Sequence, residues 1–93
     1  MAKSLSAITA VSTGTVISVP SDRRCMPRMV QCSITVGTAT VIVKGRAAPD
    51  APWVTIYTFT ASDMVALYLP AEVAMDVTVV AGGGVVSGWL DAQ

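Results

Sequence analysis

The side chains that carry most enzymatic chemistry are scarce in this chain, and their spacing brings few of them together. No His is present among the 93 residues, so Ser-His and Cys-His pairings of nucleophile and base are excluded. Lys3 falls in a small, polar N-terminal stretch and Lys44 on an outward strand position, and neither place activates an amine. Cys25 and Cys32 stand seven apart, and two thiols without an imidazole make a poor zinc site. A bridge between them requires that they lie opposite each other in space. Without a signal peptide, reduced thiols are expected, with Cys32 acting as a small core hydrophobe. Asp50, Asp63, Glu72, Asp76 and Asp91 fall mostly at turns or on outward positions, where carboxylates are solvated rather than paired for glycoside cleavage. Gly82–Gly84 is not a phosphate loop, because no Lys-Ser/Thr and no helix follow it; it reads as a hairpin tip. The expectation is a protein that is not an enzyme, with no catalytic residue, no metal and no cofactor.

Binding chemistry has two candidate groups. Arg23, Arg24 and Arg28 form a compact basic cluster, with Lys3 as a further cation. Nucleic acid calls for a net positive charge and interleaved aromatics. Here the net charge is zero and no aromatic precedes Trp53. An acidic protein surface is the better partner, with a solvated loop as the plain alternative. The second group is Trp53, Tyr57 and Phe59, which alternate along one predicted strand and would share one face. Such a row serves either as a sugar-stacking platform or as core, and in so small a domain core outweighs platform. Trp89 would cap the core or anchor an interface.

Charge is balanced overall but segregated. Residues 1–46 hold all six Lys and Arg against Asp22, a net +5, and residues 47–93 hold five acids and no base, a net −5. This predicts either complementary faces between copies, or two halves that interleave in the fold so that the charges mix. Hydrophobic residues make up 53% of the chain and mean hydropathy is +0.63. That surplus over an average soluble chain points to self-association. No stretch has the ~20 apolar residues that span a bilayer. Thr9, Ser12, Thr13, Gly14 and Thr15 interrupt any signal-peptide core, so the chain is expected to stay where it is made.

The elements that must position these residues all read as strands. Thr15–Val19 is closed by Pro20, and Ser21–Pro27 is a loop. Arg28–Val36 alternates with Val30, Cys32, Ile34 and Val36 inward. Gly37-Thr38 reads as a two-residue hairpin turn into Ala39–Lys44. Gly45–Pro52 is a loop, and Trp53–Thr60, Met64–Leu69, Val73–Ala81 and Val85–Leu90 follow as strands. In Val73–Ala81 the inward set is Val73, Met75, Val77 and Val79. About seven short strands with turns between them predict an all-β fold, a small antiparallel β-sandwich or jelly-roll-like barrel over residues 14–93. Residues 1–13 are expected as an N-terminal arm outside the core.

The segment Lys44–Ile56, a strand, K-G-R, a short Pro/Asp loop and W-V-T-I, resembles a pattern in small virion proteins of tailed phages. The small-polar start M-A-K-S-L and the strands Val73–Ala81 and Val85–Gln93 also resemble such proteins, although the Asn-rich loops usual there are missing. The resemblance implies a capsid decoration (cement) or minor capsid protein on the virion surface. Such a protein forms a homotrimer and clamps neighbouring major capsid subunits, with no nucleic acid or membrane partner. Met1–Thr13 and Ser21–Arg28 would reach the shell. The alternatives are a carbohydrate-binding or fibre-associated module using Trp53 and Tyr57, and a tail or head–tail connector component.

Overall fold

A computed structural model describes residues 2–19 and 26–91. Among these the protein is all β, a sandwich of two antiparallel sheets built from nine strands. They are β1 (Ala2–Ile8), β2 (Ser12–Thr13), β3 (Ile17–Ser18), β4 (Pro27–Thr35), β5 (Thr38–Arg46), β6 (Val54–Phe59), β7 (Asp63–Tyr68), β8 (Glu72–Ala81) and β9 (Val85–Leu90). The first sheet has the order β1-β9-β4-β7, and the second β2-β8-β5-β6, with β3 also pairing β8. Position by position, the two orders are the same list of chain neighbours. The molecule is therefore one four-ribbon sheet folded over on itself. The crease runs through Thr9–Val11, Gly82–Gly84, Val36–Gly37 and Thr60–Ser62.

This geometry corrects the expected hairpin after Val36. β4 and β5 lie in different sheets: Thr35 pairs Val85 across one sheet and Thr38 pairs Ala81 across the other. The turn is a corner that carries a ribbon from one layer to the next, as strands do when they switch sheets. Two such corners sit side by side. A Cβ on Gly37 would come within 2.2 Å of the Ala81 carbonyl oxygen, so only glycine allows the ribbons to bend together there. Val36 shares that corner at φ 59°, an unusual backbone for a β-branched residue.

The N-terminal segment is likewise not an arm outside the core. β1 pairs with β9 along its length, β2 pairs β8, and Leu5 is buried in the centre. A polar composition hid it because Leu5 is its one fully buried apolar residue, with Ile8 packed against the core from its end. Ser4 does the rest: its buried hydroxyl donates to the Thr15 carbonyl (3.0 Å) and accepts from the Met75 amide (3.1 Å). Thr15 N–H returns a bond to the Ser4 carbonyl, tying the ribbon to both layers.

The core consists of Leu5, Ile17, Val19, Val30, Cys32, Ala39, Val41, Val43, Phe59, Leu69, Val73, Met75, Val77, Val86 and Leu90. The predicted period-two alternation supplies most of it. It fails where a β-bulge intervenes, since one extra residue reverses every side chain beyond it. Between Val77 and Val79 such a shift throws Val79 outward, 53% exposed, and turns Val80 toward the core. Val36, expected inward, is exposed on its corner.

Candidate functional site

A second bulge decides the fate of the aromatic row. β6 faces β5 with Val41 opposite Phe59 and Val43 opposite Tyr57, but Lys44 opposite Thr55. Beyond that shift the alternation reverses. Phe59 is buried and Tyr57 is half-buried, packed edge-on against it at 4.9 Å between centroids. Trp53 lies on the opposite, outer face. The four residues Trp53, Thr55, Tyr57 and Phe59 therefore do not share a side, a correction to the simple alternation. The Trp53 ring carries Lys44 Nζ at 4.8 Å and the Arg46 guanidinium at 4.4 Å from its centroid. Both cations also hold acids of β8: Lys44 bonds Asp76 at 2.9 Å and Arg46 Nε donates to Glu72 at 2.6 Å. The outer face of the second sheet is thus a self-satisfied ladder of charges under one indole.

These pairs settle the charge asymmetry among the described residues. Lys44, Arg46 and Arg28 come from the basic half, and Asp76, Glu72 and Asp91 from the acidic half. The halves interleave and the charges pair within the molecule.

The predicted basic cluster is not assembled by the described residues. Arg23 and Arg24 lie outside them, as does Cys25. Arg28 stands on the inward side of β4, in register with Leu67, mostly covered and 4.0 Å from Asp91. Its Nε is buried with no hydrogen-bond partner. Lys3 is exposed on the outer face of the first sheet, 5.4 Å from the Trp89 ring centroid. Lys3 and Arg28 therefore present to different sides. Cys32 is free and buried, and burial pushes its thiol up to about 11, so it stays a protonated core residue.

The outer face of the first sheet is the counterpart of the charged ladder. Cross-strand register lines up Lys3, Trp89, Gln31 and Met64 in one row, Met29 and Ala66 in the next, and Pro27 and Tyr68 in a third. Met29, Met64 and Tyr68 are exposed, Tyr68 to 64%, and Met26 is exposed beside them. Sequence reading missed this patch, because it took Met64–Leu69 only as one more strand of the fold. The outward Met64, Ala66 and Tyr68 were the available signal. Beside it an open groove of about 590 Å³ runs between the ends of β6 and β7, lined by Gly45, Val54, Ile56, Tyr68, Leu69 and Pro70 among others. Its lining is apolar apart from Arg46, which is already held by Glu72 and Trp53.

Among the described residues no group of three or more His, Cys, Asp or Glu could hold a metal ion, and no helix is long and apolar enough to cross a membrane. No protein-family model, curated protein or solved structure matches the chain. The fold itself defines the class, a small antiparallel β-sandwich.

Proposed function

We propose that the chain is a non-enzymatic structural module that self-associates and binds a larger shell, in the manner of a capsid decoration protein on a virion. The observation that carries this reading is the contrast between the two outer faces. One pairs its charges internally and leaves isolated valines such as Val79 exposed, and the other leaves Met26, Met29, Met64 and Tyr68 in water around Trp89. A monomer gains nothing from such an apolar face, whereas an assembly covers it. Methionine and tyrosine suit the task, since one adapts its shape and the other pairs a large ring with a polar tip. The phage-protein resemblance supplies the shell as the partner.

The carbohydrate-binding alternative is less well supported. A stacking platform needs an open ring, and Trp53 has two cations over it while Phe59 is buried.

Native mass spectrometry tests the self-association. An oligomer supports the reading, whether the trimer of about 29 kDa (three times the 9.6 kDa chain) usual for decoration proteins or an even-numbered form; a strict monomer at all concentrations sinks it. The shell is tested by deleting the gene from a phage that carries it. Particles are expected to assemble and then lose resistance to heat and osmotic shock, and unchanged resistance would count against a cementing role.

A further inference from the structure

The two-sheet architecture leaves strand edges, and each unpaired edge invites another strand. Among the described residues all but one of them are blunted. β1 is broken by two register shifts, carries Ala7 at φ 50°, and has the Ser4 carbonyl occupied by Thr15 N–H. β2 and β3 are two residues each. β6 contains the bulge that turns Trp53 outward. β7 is different: six residues with no register shift against β4 and no proline. Its only charge is Asp63, at one end.

The backbone of β7 points the right groups outward. Met64 N–H turns away from β4 and donates to the Asp63 carboxylate at 2.8 Å. By the two-residue repeat of a strand, the amides and carbonyls of Ala66 and Tyr68 turn the same way. These three residues are also the ones whose side chains lie on the outer apolar face.

We propose that β7 pairs antiparallel with β7 of a second copy across a twofold axis at Ala66, joining two first sheets into one eight-stranded sheet. This contact rests on the self-association reading and specifies its surface. The register is self-complementary. Ala66 faces its own copy with the least bulk on the axis, and on either side Met64 meets Tyr68 of the second copy. The sulfur-to-ring contact of such a pair is favourable. Charge fits as well: Asp63 of each copy lies opposite Leu69 of the other, which holds the two carboxylates roughly 20 Å apart along the strands. Covering Tyr68, Met64 and the strand edge removes on the order of 400–500 Å² from each copy, near the ~1,000 Å² total that marks the smallest specific contacts. The expected dimer is accordingly weak, with a Kd on the order of micromolar.

Sedimentation equilibrium and native mass spectrometry on three chains provide the test: the unaltered protein, Ala66→Pro and Tyr68→Glu. Proline removes the central outward N–H, and edge strands tolerate it where that N–H faces solvent. Tyr68→Glu places a charge in the contact and leaves the backbone intact, so it decides the matter if Ala66→Pro fails to fold by circular dichroism. The expected result is an even-numbered, concentration-dependent association whose Kd rises at least tenfold in the folded variants. A trimer alone, or an oligomer that both variants leave unchanged, overturns the β7 contact while keeping self-association. A monomer at millimolar concentration overturns both.

Discussion

Met75 of one sheet fills the space that a side chain at Gly88 of the other would need. A Cβ on Gly88 would lie 2.5 Å from the Met75 sulfur and 2.7 Å from its methyl carbon. Both residues are fully buried, so the thioether spans the gap between layers where the strand has no side chain. Gly88→Val should overfill this point and destabilise by about 1–3 kcal/mol. Met75→Ala should leave a void costing about 2–5 kcal/mol. Denaturant midpoints check both, and the double variant Met75→Ala with Gly88→Val should recover part of the loss, because the new methyls occupy the vacated volume.

Ser4→Ala removes one hydroxyl and leaves the buried Met75 amide and the part-buried Thr15 carbonyl without that partner. A loss of about 1–3 kcal/mol is expected. Hydrogen exchange locates it: the Met75 amide should exchange faster, while the Val30 and Val65 amides of the β4–β7 pair keep their relative protection. An unaltered Met75 rate would show that the hydroxyl is not what holds the ribbon.

Val36 at φ 59° sits where glycine is at ease and a β-branched residue is strained. Val36→Gly should raise the folded stability by about 1 kcal/mol, the left-handed strain relieved exceeding the added flexibility of the unfolded chain. Thermal melting reads this directly. Since Val36 is 73% exposed, little burial is lost in the exchange.

Cys32 makes stability depend on alkaline pH. Its folded thiol titrates at about 11 against an ordinary value of 9.0, because burial disfavours the thiolate. The unfolded chain therefore loses this proton first as pH rises. The contribution of the protonated thiol is fully present below pH 9 and is lost as pH climbs toward 11. Urea midpoints from pH 8 to 11 should fall in the unaltered protein and fall less in Cys32→Ala, which starts lower because of its cavity. Equal slopes in the two proteins would disprove the assignment.

How far the sequence foretold these arrangements depended on local regularity. Arg28–Val36 alternates without a break, and its inward residues Val30 and Cys32 are buried as the period demands. Val73, Met75 and Val77 follow the same rule, and Val79 departs from it only because a bulge at Thr78 inserts one residue. No side-chain pattern announces a bulge, and the same silence sent Trp53 to the wrong face. Pairing between sheets was equally hidden: Gly37-Thr38 has the composition of a hairpin turn, and its packing against Ala81 and Gly82, some 45 residues later, makes it part of a corner. The N-terminal strand was missed because its place is specified by Ser4, a polar residue that satisfies backbone rather than adding to an apolar rhythm. In the candidate site, the paired charges were legible as an imbalance between halves. The alternation in β7 marked Met64 and Tyr68 as outward, but that they lie on an edge strand came only from the sheet order.

The crease has a consequence for how the molecule comes apart. Every ribbon contributes to both layers, so neither sheet is a separate piece of chain that can melt while the other persists. Loosening Thr35 from Val85 also loosens Thr38 from Ala81, three residues along one ribbon and four along the other. The protein should lack partly unfolded forms in which one layer survives, and should lose its structure as a single event. In the proposed cementing role such indivisibility would act as a mechanical property: below the breaking force there is no intermediate extension to yield into.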